Sequence, residues 1–391
     1  MHHRLILAFA MGVIGTSFPI GLSAGILNPG SPVLIDSSTI VDTLVSVAGN
    51  STEYMAAWGE NNGDLYLSSS TNQGQSWVSV ENISAVIPNT TCLATNGTTF
   101  VVGWVDASNN YPYAASSSNA WTPFPLSNNT TTPSIDIISN STGYMGVWTE
   151  STGGYITTYK GHYSFASDGV GWSSAGLISS SDNIDYTAIS IGANSSGFLA
   201  VWKKASGQCG QAFYPNGGPW PSATVISNTV TLAGGVKPAV CGSGSGEFVV
   251  AYVDSSYNAY SVYTTNNGST WSVPSFIASN ISDSTTGLNI SQLADGFVVS
   301  WQNNSNNALA SYSSNNGVSW AAPISITLDS SLESNSGVGV SGVGSNCMFT
   351  WWSNADAYSS YSAPSSSSTA AGEPQGIYKL IFGTRPGRKM L

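Results

Sequence analysis

Two residues beyond a recurring aromatic stand Glu60, Asp106, Glu150, Lys204, Asp254, Asn303 and Ser353, so four of seven corresponding positions carry a carboxylate. Acids at equivalent points of successive repeats would lie around one circle, where they could hold a cation such as Ca2+ or meet a basic partner. They also have a plainer use, because an acid just past a strand accepts backbone hydrogen bonds in the following turn. A second cluster, "TTYKGHYSF", puts Tyr159, His162 and Tyr163 in a hairpin longer than its counterparts. It reads either as an extended, exposed hairpin or as a recognition loop whose rings stack on a sugar or peptide. His162 is the lone histidine after residue 3. That excludes a histidine-rich metal site and leaves any Ser-His-Asp relay dependent on one side chain.

Repeated strands must position these groups. The segments "YMAAW", "FVVGW", "YMGVW", "FLAVW", "FVVAY", "FVVSW" and a looser "MFTWW" end at Trp58, Trp104, Trp148, Trp202, Tyr252, Trp301 and Trp351, spaced 44 to 54 residues apart. A period of about 40–50 residues is the signature of stacked four-stranded blades. These strands are apolar on both faces, as expected only where sheets cover them from either side. Around each one the chain reads strand, small-residue turn, aromatic strand, polar turn, alternating strand, and a last strand led by tryptophan. Helical spacing is absent. Only six Trp-led strands occur, at Trp77, Trp121, Trp172, Trp220, Trp271 and Trp320. The missing one is found at the other end of the chain, where "SPVLIDSS" spaces Pro32 and Ile35 like Pro274 and Ile277, or Pro323 and Ile326. The expected fold is all-β: one seven-bladed β-propeller over residues 31–363, closed by an N-terminal strand that completes the last blade and removes an exposed edge.

A short turn precedes the tryptophan three times in full: Ser70, Asn72, Gly74, Ser76, Trp77; Thr264, Asn266, Gly268, Thr270, Trp271; and Ser313, Asn315, Gly317, Ser319, Trp320. "ASDGVGW" and "YPNGGPW" are degenerate copies, and "SSSNAW" is a shortened one. The Asn oxygen can accept backbone N–H bonds, Gly can take the positive-φ position, and Trp can pack onto the blade, which is an architectural role. The pattern resembles the Asp-box of the bacterial neuraminidase repeat in sialidases and related propellers, with Asn in place of the usual Asp. The resemblance implies turns at the outer rim, away from the ligand face. Family enzymes grip a substrate carboxylate with three arginines and attack with a tyrosine activated by glutamate, an aspartate serving as acid/base. The three arginines here are Arg4, Arg385 and Arg388, outside the repeats. Because a guanidinium fork has no ordinary substitute, the family's catalytic residues do not carry over. Sialidases also have six blades, against seven expected here.

Nine basic against 20 acidic residues give a net charge of −11, which disfavours nucleic acid or an anionic membrane as partner. Residues 1–24 combine a basic start at Arg4, a short apolar run and small residues, the pattern of an export signal. No later segment is long and apolar enough to span a membrane. Cys92, Cys209, Cys241 and Cys347 lack zinc-site spacing, and their pairing is not legible. Sequons recur in corresponding turns at Asn50, Asn96, Asn140 and Asn194. Residues 364–391 read as a Ser-rich linker and basic tail. The expected protein is a secreted or surface-displayed monomeric propeller that binds a glycan or an extracellular protein without catalysis. The alternatives are a glycoside hydrolase of exo-sialidase type and a structural surface-coat protein.

Overall fold

A strand apolar on both faces must be covered twice, and the computed structural model meets that need by stacking blades around an axis. It describes residues 27–364, apart from 38–40, 42, 61–62, 79–80, 85–87, 130, 153–157, 180–183, 227–228, 283–286, 328–331 and 333–335. The segment read as an export signal and the tail from 365 therefore lie outside the described residues. The first blade is an antiparallel sheet of Ser46–Gly49, Tyr54–Gly59, Leu65–Ser70 and Glu81–Ser84, from the axis outward. The second follows the same order with Pro88–Thr95, Phe100–Asp106, Pro112–Ser116 and Phe124–Pro125. The innermost strands of the next five blades are Thr131–Asn140, Ile184–Asn194, Ala239–Ser243, Leu288–Leu293 and Gly339–Val343. Blades three and four touch edge to edge through a Tyr159 to Ile184 pairing, so their strands form one continuous sheet.

Closure is as the sequence leads one to expect: Val33–Asp36 pairs with the last strand, Asp356–Pro364, in the register Val33 to Ser359 and Leu34 to Tyr358. The ring starts earlier than residue 31, because Leu27–Pro29 pairs with the same edge. Among the described residues the one helix is a single 3-10 turn at Ser117–Asn119, and no helix is long and apolar enough to cross a membrane.

The core is divided among blade seams. The seven aromatics that end the second strands are 0% exposed, and complete burial of one large apolar side chain is worth about 1.5–3 kcal/mol. Most rest on a ring from the third strand, as Trp58 does on Tyr66, Trp104 on Tyr113, Tyr252 on Tyr260 and Trp351 on Tyr358, with centroids 5.6–6.3 Å apart. Hydroxyls stitch neighbouring blades to each other. Thr91 Oγ1 donates to Leu44 O at 3.0 Å, Ser139 Oγ to Thr95 O at 2.6 Å, Ser300 Oγ to Val338 O at 2.8 Å and Thr350 Oγ1 to Val45 O at 2.6 Å. An uncharged donor satisfied in this way avoids the desolvation cost of a buried charge, which accounts for a Ser/Thr-rich chain with 7% charged residues.

Candidate functional site

The circle of carboxylates exists as a set of equivalent positions, but each acid is bonded locally, within its own blade or, for Glu150, also to the connection that leads into it. Each stands where the second strand turns into the third. Glu60 N donates to Asp64 O at 3.0 Å, and Asp254 N to Asn258 O at 2.9 Å. Asp106 Oδ1 accepts from Ser108 N and Oγ at 2.8 and 2.7 Å, and its Oδ2 from Asn109 Nδ2. Asp254 Oδ1 accepts from Ser256 N and Asn258 N, an arrangement that Asn303 repeats with Ser305 and Asn307. The glutamates reach inward instead. Trp58 Nε1 donates to Glu60 Oε1 at 3.2 Å and Trp148 Nε1 to Glu150 Oε1 at 2.7 Å, both in buried surroundings. Glu150 also accepts from Ser127 Oγ and Asn129 Nδ2. Glu60, Asp106 and Glu150 are 1%, 2% and 4% exposed, so little of any of them faces solvent. Among the described residues no three His, Cys, Asp or Glu side chains come close enough to hold a metal ion.

Tyr159, His162 and Tyr163 lie on a strand of that hairpin, Tyr159–Ala166, and not on a loop. The third-blade hairpin is longer because its strands are longer: Gly143–Ser151 and Tyr159–Ala166 pair over eight residues each. His162 occupies the place that tyrosine fills in four other blades. It stacks on Trp148 at 6.3 Å, with its Nε2 3.5 Å from Glu150 Oε2. Burial lowers its pKa below 6.5, while the Glu150 carboxylate pulls the other way. Tyr163 joins Tyr214 and Trp220 across the seam of blades three and four. Their centroids are 5.3–6.0 Å apart and all three rings are half-buried. Tyr159 takes part in the edge contact between those blades.

The three full turns before tryptophan close with the same bonds. Asn72, Asn266 and Asn315 each accept, through Oδ1, the N–H four residues on, at 2.9–3.0 Å. Gly74, Gly268 and Gly317 sit at φ +77°, +82° and +78° and donate back to the leading hydroxyl. Each tryptophan then docks on the preceding blade: Trp77 Nε1 donates to Ser359 Oγ, Trp271 Nε1 to Gln211 Oε1 and Trp320 Nε1 to Ser261 Oγ. These acceptors share one position on the third strand. Where that position holds Ala114 or Tyr163, the facing Trp172 and Trp220 N–H groups are buried with no acceptor among the described residues.

The sequon asparagines also have turn roles. Asn50, Asn96, Asn140 and Asn194 each accept, through Oδ1, the N–H two residues on, at 2.8–3.1 Å. The four cysteines are free thiols on four blades, and burial pushes Cys209, Cys241 and Cys347 up to about 12.

Sequence reading missed the axial channel, a cavity of about 380 Å3 lined by all seven innermost strands. Asp136 and Lys237 enter it. Burial holds the Asp136 carboxyl above the usual range, opposed by the field of Lys237 and by hydrogen bonds that include Ile191 N at 3.1 Å. The one available signal was an acid inside the apolar run "SIDIIS".

The fold places the chain in the class of seven-bladed β-propellers. No family model matches it, and no curated protein matches it. Solved structures do. The BP39L lectin from Burkholderia pseudomallei superposes with a TM-score of 0.67 at 14% identity, covering 83% of this chain and 96% of that one. The fucose-specific lectin from Aleuria aurantia gives 0.50 at 13% identity, covering 74% and 99%. A polysaccharide lyase, the PL25 ulvan lyase, gives 0.53 at 10% identity, covering 85% and 96%. Identities this low establish a shared fold and no more.

Proposed function

We propose that this chain is a carbohydrate-binding propeller that acts outside the cell and catalyses no reaction. The observation that carries this reading is the division of labour among its side chains. The acids at the repeat positions are bonded into their own turns and cores, whereas aromatic rings at the blade seams, such as Tyr163, Tyr214 and Trp220, remain half-buried. An aromatic face beside neutral hydrogen-bonding groups suits the alternating C–H and O–H surface of a sugar. The lectins that share the fold support the same reading, and the lyase that shares it handles a polysaccharide. A net charge of −11 favours neutral over anionic glycans.

A glycan array probed with the purified protein tests this directly. Binding to neutral glycans is expected, with no release of sialic acid from a fluorogenic sialoside and no unsaturated uronate from ulvan. An array without signal, or turnover above a heat-inactivated control, would overturn the proposal. Ordered self-association of the purified chain would favour a coat protein instead.

A further inference from the structure

The shortened turn "SSSNAW" builds something its longer relatives do not. Lacking the full turn, the chain makes the 3-10 turn Ser117–Asn119 and passes through left-handed backbone at Ala120 and Trp121, φ 47° and 55°. Two successive non-glycine residues in that region are strained, and such strain persists only where the surroundings hold it. Ser116 O receives the Trp121 N–H at 2.9 Å, and Asn119 O receives both Thr122 N and Thr122 Oγ1. The indole still packs against the core between the first and second blades, as Trp77, Trp271 and Trp320 pack at their own seams, but its N–H finds no dock. On the preceding blade the acceptor position is Leu67, which offers no hydrogen-bonding atom, and Trp121 Nε1 has no acceptor among the described residues. Unlike Trp172 and Trp220, its N–H is not fully buried.

Beside it opens a recess of about 490 Å3 lined by Asn82, Ile83, Ala120, Trp121, Thr122 and Pro123. It is an open depression and not an enclosed cavity, so a ligand there would rest one face on the protein and leave the other in solvent. Among the described residues that line it, none is charged. One side is the outermost strand of the first blade, with an exposed Asn82 amide and half-buried Ile83, and the other is the second-blade turn. An indole with an unpaired N–H, an amide, a hydroxyl and two apolar contacts together match a neutral pyranose. Its C–H face can lie on the ring while its hydroxyls meet Trp121 Nε1, Asn82 and Thr122.

Resting on the carbohydrate-binding reading, we infer that the cleft between the first and second blades at Trp121 is a binding site for a neutral sugar ring. The test compares wild type, Trp121→Ala, Trp121→Phe and Asn82→Ala by array and then by calorimetry against the neutral glycan that wild type binds best. Trp121→Ala should weaken that binding at least about tenfold, and Asn82→Ala about threefold to tenfold, as loss of stacking or of one hydrogen bond implies. Trp121→Phe, which keeps a ring without the N–H, should fall between wild type and Trp121→Ala. Wild-type binding that survives Trp121→Ala within twofold, with an unchanged circular dichroism spectrum, would overturn the cleft and leave the general proposal standing. A wild type that binds no glycan overturns both. Should Trp121→Ala fail to fold, Asn82→Ala decides, because its side chain is exposed and unchanged affinity would remove the site.

Discussion

At the scale of single residues, the chain shows how one repeat position can hold different chemistry for the same mechanical end. Tyr66, Tyr113, Tyr260 and Tyr358 stack on a second-strand aromatic, and His162 does so in the third blade. The substitution introduces a titration that the tyrosines lack. Because burial depresses the His162 pKa below 6.5, the unfolded chain binds its proton first as the solution is acidified. The stability His162 contributes is therefore present above that value and is lost as pH falls through the folded pKa. His162→Tyr, which restores the Trp58–Glu60–Tyr66 arrangement of the first blade, should flatten the loss of melting temperature between neutral and mildly acidic pH. Parallel thermal melts of the two proteins check this, and equal slopes would show that His162 does not govern the dependence. That His162 stacks on Trp148 was not legible in the sequence, where it stands among tyrosines in a long hairpin. Its strand register, which its sequence neighbours do not reveal, places it there.

At the scale of elements, the turn before tryptophan is a structural clasp. Gly268 is at φ +82°, and a Cβ there would come within 2.5 Å of Gln211 Oε1, the atom that accepts the Trp271 N–H. Gly268→Ala should therefore cost about 1–3 kcal/mol by straining the backbone and disturbing that dock. Chemical denaturation reads the loss, and glycan binding should be unaffected because the turn serves architecture. These elements were legible because each had to solve the same problem: a two-sided strand needs an aromatic at its end, and a tight hairpin needs Asn and Gly in fixed places. The departures were less legible. "SSSNAW" was visible as a defective copy, but its left-handed Trp121 and the missing acceptor at Leu67 on another blade were not. Asp136 comes within the field of Lys237 only through the curvature of the ring, which no local pattern records.

At the scale of the whole molecule, stability depends on a pairing between positions far apart in the chain. Closure pairs Val33 with Ser359 and Leu27 with Pro364, so among the described pairings it carries the largest loop-closure entropy. Deleting residues 27–36 would leave the edge of Asp356–Pro364 unpaired and exposed. A lower melting temperature and concentration-dependent association by light scattering are expected, and a truncated chain that melts like wild type would show that closure contributes little. The ring itself could be read from the period and from Pro32 and Ile35, because the missing strand announced its own absence. A quieter result of that closure concerns attachment. Leu27 and Pro364 are directly paired, so whatever precedes the one and follows the other leaves from neighbouring points on a single blade. A tether joined at Leu27 or at Pro364 would hold the ring from nearly the same origin, so the two points are interchangeable for display.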